Sequence, residues 1–389
     1  MLRDERDDNR LNLIDDPWLP CIAADGERCE VGLRELLHEC HMLRDLEVES
    51  PLVSATLYRL ILAFLHSCLN GPRSTEQWIS IYKQHCFPVA KIERYVEQWR
   101  HRFELFHPTH PFYQCENFQL AIPRSAGQLA RACFNLDAEA PAQLTAAQAA
   151  RALVAIHGFA LGGGAGTSSA RFGKHPNFSH APLVGRNTVL LKGRTLFESL
   201  MFNLLIYHDD SLGTDRPAWE RDANIRKPGE RVCNGYLDLL TWQSRCISLV
   251  PEPGGVRHMY YAQGETFARH TRPVDPLTIS QRASQLSATP ATTHEPDWDA
   301  WSDGRLPALA QLAALFRDGQ LGHAPPVRCA VLGIINERAR VVGWTHDEYT
   351  LPMRLMHDPN CVVCHAAGVG RSDFQNRSRH FFIFPSDVQ

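Results

Sequence analysis

Residues 50 to 72 read SPLVSATLYRLILAFLHSCLNGP, a stretch that carries an apolar face between two helix-boundary signals. Ser50 followed by Pro51 is the pattern of a cap and a first-turn proline. Large apolar side chains then recur at helical spacing until Asn70-Gly71-Pro72 ends the pattern. The stretch therefore predicts a long helix buried in the core.

Three further helices are predicted from similar signals. One covers residues 91–107 and ends before Pro108. The other two begin at Thr145 and Thr195, each with the three-residue spacing to Gln148 or Glu198 that is typical of a capping box. The first half of the chain is thus expected to be largely helical.

After residue 240 the sequence changes to strands and turns. Residues 245–250 and 256–262 flank a Pro- and Gly-rich turn and predict a hairpin with Arg257 and His258 near its tip. A second hairpin is predicted from residues 327–335 and 341–345, with Asn336-Glu337-Arg338-Ala339-Arg340 at its tip. The fold class expected is α+β: a large mixed domain with a helical N-terminal part and a hairpin-rich second part.

Composition narrows the class of protein. The chain has 389 residues, 44% of them apolar, and a net charge of −3, so it can bury a large core. Residues 1–8 lack the apolar segment of a signal peptide, which predicts a cytoplasmic protein. In a reducing compartment the twelve cysteines are expected to be small core residues.

A glycine segment, residues 161–166 with the sequence LGGGAG, directly follows the helix that begins at Thr145. From residue 160 to Glu198 there is no acidic residue, but there are five cations: Arg171, Lys174, Arg186, Lys192 and Arg194. A glycine loop lets the backbone approach a polyanion because no Cβ intervenes and its N–H groups can donate to phosphate. The one-sided charge favours a nucleic-acid backbone, whereas composition alone also fits a flexible linker.

Two nucleotide-binding motifs are excluded by spacing. A Walker loop ending at Gly173-Lys174 would require Gly where Ser168 stands and a hydroxyl residue where His175 stands. A dinucleotide fingerprint follows a strand, whereas this segment follows a predicted helix and has Ser169 at the last glycine position. No cofactor is therefore expected.

An ordered series of stretches resembles the large subunit of the type I-E CRISPR surveillance complex, Cascade (the CasA family). The stretches are LNLIDDPWLP at residues 11–20, VGLRELL at 31–37, His110-Pro111-Phe112, Phe134-Asn135, Gly162-Gly163-Gly164 and LLTWQ at 239–243. The resemblance implies a subunit without catalytic residues that reads the protospacer-adjacent motif (PAM) in the minor groove of double-stranded DNA and opens the duplex. The implied partners are the CRISPR RNA (crRNA), the target DNA and the backbone, small and handle-binding subunits of Cascade, with no membrane involved.

The same resemblance implies a set of nucleic-acid-binding residues. The glycine loop would comprise Gly162, Gly163, Gly164 and Gly166 with Ser168, Ser169, Arg171 and Lys174. Phe134 and Asn135 would contact the foot of the crRNA, Arg257 or His258 would replace a family lysine, and Asn336 and Arg338 would lie in the wedge that separates the strands. Glu337 interrupts that wedge, which leaves a simple surface turn as the alternative.

The domain organisation implied is one α/β domain of the large-subunit type over residues 1–360 and a short tail of unknown role over 361–389. The family usually continues into a C-terminal helical bundle that supports recruitment of a helicase-nuclease, and a complete four-helix bundle is not expected from this sequence. The hypothesis that follows is DNA cleavage by another route, for example a nuclease-bearing subunit.

Two other motifs leave alternatives open. Cys361 and Cys364 form half of a zinc site, or are two ordinary cysteines. The pairs His208-Asp209, His346-Asp347 and His357-Asp358 fit a rival class, a metal-dependent phosphohydrolase or nuclease, which would need a further His and Asp brought together by the fold.

Replacing two of the five cations between residues 171 and 194 with Gln is expected to weaken binding to all DNA duplexes. Each lost phosphate contact should reduce the slope of log K against log salt by about 0.9, because fewer counterions are released on binding. Titrations at several salt concentrations measure both effects, and an unchanged slope would argue against phosphate contact.

Overall fold

The computed structural model describes residues 10–115, 123–127, 143–164, 177–207, 214–221, 229–268, 273–280, 306–317 and 326–351. The helices are α1 (Leu33–Glu39), α2 (Pro51–Leu69), α3 (Thr75–Gln84), α4 (Val89–Trp99), α5 (Ala146–Phe159), α6 (Leu196–Asn203), α7 (Tyr236–Leu240) and α8 (Pro307–Arg317), and 3₁₀ turns cover Arg100–Phe103 and Ala218–Glu220. The strands are β1 (Leu19–Ala23), β2 (Arg28–Val31), β3 (Leu43–Leu46), β4 (Arg124–Ser125), β5 (Gly163–Gly164), β6 (Asn177–Phe178), β7 (Arg186–Lys192), β8 (Gly229–Arg231), β9 (Arg245–Glu252), β10 (Gly255–Gln263), β11 (Glu265–Phe267), β12 (Thr278–Ser280), β13 (Val327–Glu337) and β14 (Arg340–Leu351). The mixed α+β class is confirmed.

The strands form several small sheets instead of one large one. An antiparallel sheet in the order β2-β1-β3 lies in the N-terminal part, which the sequence had suggested to be helical. The β9–β10 hairpin pairs with β4, and the β13–β14 hairpin belongs to a four-stranded sheet in the order β12-β7-β13-β14. Both predicted hairpins are confirmed, and the second is longer than predicted.

Helix α2 is the centre of the core. The Ser50 hydroxyl accepts a hydrogen bond from the Val53 N–H, and Asn70 closes the helix in the left-handed conformation. The helix packs against α4, α5, α6, α7 and the strands β13 and β14. By length and composition it could cross a membrane, but 89% of its apolar stretch is buried inside the protein, as in a core helix.

The predicted helix over residues 91–107 is shorter in the structure. α4 ends at Trp99 and a 3₁₀ turn ends at Phe103, after which the chain extends. The backbone of Leu105 then bonds to Leu11, and the Leu13 N–H donates to the Phe103 carbonyl. Pairing with the N-terminal segment therefore overrides the helical periodicity.

Lys192 does not fit the prediction that the five cations between residues 171 and 194 face a nucleic-acid backbone. Its ammonium group is buried on β7, donates to both carboxylate oxygens of Asp45 at 2.8 and 2.9 Å, and lies 3.9 Å from the centre of the Tyr58 ring. Burial lowers the pKa of Lys192, while the Asp45 carboxylate opposes that shift. Lys192 ties β7 to β3 and is not available to phosphate.

A second buried ion pair joins distant parts of the chain. Arg59 on α2 donates to Asp275 at 2.7 Å and to the Leu239 carbonyl at 3.2 Å, and both charged side chains are almost fully buried. Removing one partner of such a pair leaves an uncompensated buried charge. Arg59 therefore fixes α2 against the segments that carry Asp275 and Leu239.

Several cysteines are small core residues, as the sequence predicted, but one pair is disulfide-bonded. Cys21, Cys40, Cys68 and Cys329 are buried, and burial raises the pKa of each thiol. Cys115 and Cys246 differ, because they form a disulfide with their Cα atoms 5.4 Å apart. This pair links Cys115 to the second residue of β9.

His66, on the last turn of α2, predicts a pH dependence of stability. Its ring is fully buried and lies edge-on against the rings of Tyr207 and Tyr236. Burial lowers the pKa of His66 from 6.5 to about 3. The unfolded chain therefore takes up the proton first, so stability is retained above pH 6.5 and lost as pH falls toward 3.

Chemical denaturation of wild type and His66→Phe across pH 3 to 7 tests this effect. Below pH 6.5 the wild type is expected to lose up to about 1.4 kcal/mol per pH unit relative to the variant, because Phe cannot take up a proton. Parallel curves for the two proteins would contradict the assignment.

Candidate nucleic-acid interface

The glycine segment is held at its base by main-chain contacts. Helix α5 starts with the predicted capping box, in which Thr145 and Gln148 bond reciprocally, and it ends at Phe159. Gly163 and Gly164 then pair with Asn177 and Phe178 as the short antiparallel strands β5 and β6. Gly164 and Asn177 thus lie side by side, although twelve residues separate them in the sequence.

Close packing requires glycine at two positions of this base. The Gly162 N–H donates to His180 Nδ1 at 3.0 Å, and a Cβ on Gly162 would lie 2.7 Å from the Phe178 carbonyl oxygen. Gly163 has φ +151°, and a Cβ there would lie 3.0 Å from the Cβ of Ala339. Side chains are therefore excluded for steric reasons, in addition to the access that glycine gives to a polyanion.

Ala339 belongs to the tip of the β13–β14 hairpin, the other element for which a wedge role was predicted. β13 pairs with β7 only from Arg328 to Gly333, so the hairpin continues for several residues beyond that strand. Its tip, from Glu337 to Arg340, is exposed. Two separately predicted elements, Gly162–Gly164 and the hairpin tip, thus lie in contact.

The conformation of this tip is fixed locally. Arg338 adopts the left-handed conformation with φ 54°, and Asn336 Nδ2 donates to the Arg338 carbonyl at 2.9 Å. Glu337 stands opposite Arg340 in the strand register. The Asn336 side chain therefore stabilises the turn that presents Arg338.

Arg257 lies at the other end of its hairpin from the glycine segment. Its Nε is 3.3 Å from Gln143 Oε1 and 3.7 Å from Glu252, whose other oxygen is 2.7 Å from His258 Nδ1. The β10 residue that contacts the returning strand is Tyr261, whose ring centre is 5.4 Å from that of Phe178. Four residues of strand, about 14 Å, separate Tyr261 from Arg257.

Three side chains near the base of the glycine segment were not recognised from sequence. Arg124 on β4 lies over the rings of Phe178 and Tyr261, Gln263 accepts a hydrogen bond from the Ser179 N–H, and Arg245 lies beneath the segment. An arginine at the start of an otherwise apolar strand was the only sequence signal for Arg245. Their proximity depends on β10 packing against β6, which local patterns do not reveal.

Two other members of the five predicted cations are described, and both contact other residues of the protein. Arg194 forms an ion pair with Glu198 four residues later, at 2.7 Å. Arg186 donates to Thr278 Oγ1 at 3.3 Å. The remaining predicted residues lie outside the described residues: Gly166, Ser168, Ser169, Arg171, Lys174, Phe134, Asn135, Cys361 and Cys364.

The rival metal-dependent site finds no support in the described ranges. His346 and Asp347 lie on β14, where His346 is largely exposed and its Nε2 is 3.9 Å from Glu348. His208-Asp209 and His357-Asp358 are not described. Within the ranges given above, no group of three or more His, Cys, Asp or Glu residues is arranged to hold a metal ion.

Comparison with known proteins identifies the family. The family model of the CRISPR-associated protein Cse1 matches residues 12–367, which is most of the chain. The chain belongs to the Cse1 family. The match extends past residue 360, where the tail was predicted to begin.

Individual relatives agree with this assignment. CasA/Cse1 of Thermus thermophilus is 30% identical over 380 residues, which cover 89% of this chain and 72% of the relative. A crystal structure of a CRISPR-associated protein from the same organism matches with a TM-score of 0.74 at 29% identity, covering 89% of this chain and 74% of that one. A chain of a CRISPR RNA-guided surveillance complex shares the fold at 22% identity, with a TM-score of 0.68 and coverage of 89% and 75%.

The close approach of the two elements can be tested with Gly163→Ala in this Cse1-family chain. The variant is expected to lose about 1–3 kcal/mol of stability, because Ala is strained at φ +151° and its methyl group would press on Ala339. Urea denaturation measures the loss.

Gly185→Ala is the matched control, since Gly185 also has a positive φ but nothing within 4 Å of an added Cβ. A double variant, Gly163→Ala with Ala339→Gly, removes the methyl group that the new Cβ would press on. It should recover the part of the stability loss that is due to this contact, but not the part that is due to backbone strain. Equal losses for Gly163→Ala and Gly185→Ala, with no recovery in the double variant, would show that the two elements do not touch.

Proposed function

We propose that this chain is the PAM-recognising, duplex-opening large subunit of a type I-E Cascade surveillance complex in antiviral defence. The observation that supports the proposal best is the contact between Gly163 and Ala339. It joins the segment to which the family resemblance assigns motif reading with the hairpin to which it assigns strand separation. A recognition site and a wedge must be adjacent if the duplex is to open next to the motif.

The geometry suits the minor groove better than the major groove. The minor groove is about 6 Å wide, carries few distinguishing groups and has a negative potential. Narrow backbone at Gly162–Gly164 and a two-stranded tip fit such a groove, whereas a recognition helix does not. The exposed tip residues Arg338 and Arg340 supply positive charge, and Asn336 holds the turn that presents them.

Separating a base step costs a few kcal/mol, which new contacts to the protein must offset. In this proposal the hairpin tip enters the step beside the motif and the guide RNA then pairs with the released strand. The protein reads only a short motif and base pairing reads the remainder, as in other RNA-guided effectors. Glu337 would have to remain turned away from phosphate, beside Arg340.

The proposal includes a non-enzymatic role in the cytoplasm. The partners would be the crRNA, the target double-stranded DNA and the other Cascade subunits, with Phe134 and Asn135 at the foot of the crRNA. Cleavage would fall to a helicase-nuclease or a nuclease-bearing subunit. Gly166, Ser168, Ser169, Arg171 and Lys174 would continue the DNA contact from the glycine base, and Arg257 would contact DNA farther along.

The proposal is tested by binding of the assembled complex to duplexes with randomised trinucleotides beside the guide-matched sequence. Wild type should enrich a small set of trinucleotides. Gly164→Asp should abolish this enrichment, because a carboxylate then faces the phosphates and blocks the approach of the backbone.

Gly26→Asp is the control for the added charge, since it places the same carboxylate at the β1–β2 turn, where nothing lies within 4 Å of an added Cβ. Because Gly26 has φ +93°, the fold of this variant is first checked by thermal denaturation. It should bind like wild type. If the wild-type complex enriched no trinucleotide, or if Gly164→Asp enriched the same set, the proposed function would be wrong.

A further inference from the structure

A buried arginine lies beneath the base of the glycine segment. Arg245, the first residue of β9, is 2% exposed. Its Nη2 donates to the carbonyl oxygens of Ala160 at 3.2 Å, Leu161 at 3.1 Å and Ser179 at 2.7 Å. Ala160 and Leu161 lie just before β5 and Ser179 directly follows β6, so one guanidinium group binds the chain on both sides of the β5–β6 pair.

The other two nitrogens of Arg245 also donate hydrogen bonds. Nε donates to the Tyr261 hydroxyl at 2.8 Å and Nη1 to the Ser244 carbonyl at 2.8 Å. The guanidinium carbon lies 5.3 Å from the centre of the Phe178 ring. All these partners are neutral, and no carboxylate of the described ranges lies within 4 Å of Arg245 to form an ion pair.

Arg245 differs in this respect from the other buried Arg and Lys residues that the structure describes. Arg59 is paired with Asp275, Arg151 with Glu30 and Glu49, and Lys192 with Asp45. Their charges are compensated inside the protein. The positive charge of Arg245 is instead solvated by carbonyl and hydroxyl dipoles.

We infer that Arg245 is the positioning residue of the DNA-reading site. It fixes Ala160 and Leu161 against Ser179 on the two sides of the β5–β6 pair, and it places a buried positive charge beside the residue that precedes Gly162. This inference rests on the proposed function and deepens it, since it states what holds the reading segment in place. Gln263, which accepts from the Ser179 N–H at 2.8 Å, reinforces the returning end.

This role requires the planar guanidinium group of arginine. Nη2 alone bridges the carbonyls of Leu161 and Ser179, and the bonds of Nε and Nη1 to Tyr261 and Ser244 fix the plane of the group. The ammonium group of lysine, in contrast, has three donors on a flexible stem. Misplacement of a recognition group by about 1 Å is enough to weaken selective contacts. Loss of Arg245 should therefore reduce discrimination between motifs more than it reduces general DNA affinity.

The experiment compares assembled complexes that carry wild type, Arg245→Gln, Arg245→Lys or Tyr261→Phe. Dissociation constants are measured for a duplex with the preferred motif and for one with a scrambled motif, each at several salt concentrations. Discrimination is the dissociation constant for the scrambled duplex divided by that for the preferred duplex. Arg245→Gln should lower this ratio about tenfold or more, while affinity for the scrambled duplex changes less than about twofold. The salt slope should stay constant, because Arg245 itself does not touch phosphate.

Arg245→Lys should restore part of the discrimination, since it keeps the charge but loses several hydrogen bonds. Tyr261→Phe removes only the acceptor of Nε and should show a smaller loss in the same direction, even if the Arg245 variants do not fold. Arg59→Gln is the matched control: it breaks a buried arginine ion pair elsewhere in the core, so it should lower thermal stability without changing the ratio.

An unchanged ratio in Arg245→Gln and Tyr261→Phe, or an equal loss for both duplexes, would overturn the inference. The Gly164→Asp complex separates the two claims. If that variant also leaves the ratio unchanged, the proposed function itself fails. If it abolishes discrimination while the Arg245 and Tyr261 variants retain it, only the role of Arg245 is wrong.

Discussion

The burial of helix α2 is the constraint on which the rest of the structure depends. This helix packs against α5, whose end leads into the glycine segment, and against β13, whose end forms the hairpin tip. Because both elements rest on the same close-packed helix, the distance between their far ends is fixed by the core. The contact of Gly163 with Ala339 is thus a consequence of packing that takes place well inside the protein.

Buried charges are the second organising feature. Three of them, Arg59, Arg151 and Lys192, are paired with carboxylates and tie sequence-distant segments together. Breaking such pairs is costly because the remaining charge stays desolvated. Arg245 is the contrasting case, since its guanidinium binds backbone carbonyls on both sides of the β5–β6 pair. Among the described residues, the need to satisfy buried donors thus serves the fold at Arg59, Arg151 and Lys192 and holds the base of the glycine segment at Arg245.

Local signals in the sequence located most of the elements around the site. The cap at Ser50, the capping box at Thr145 and the turns of both late hairpins all appear where they were expected. These features depend on contacts between residues two to four positions apart, which is why they can be identified in a single sequence. The early end of α4 was missed because it depends on backbone pairing with the N-terminal segment, which is far away in the chain. The N-terminal sheet was also missed, although its strands are close together in the sequence.

The sequence by itself determined the fold class, the family resemblance and the position of a glycine segment in a region without acidic residues. Only the tertiary structure decided which residues share a site. It buried Lys192 against Asp45, placed Arg257 about four strand residues from the glycine contact, and brought Ala339 and Arg245 to the glycine base. The physical reason is that charge and composition are properties of single residues, whereas burial and proximity arise from packing between elements that are more than sixty residues apart.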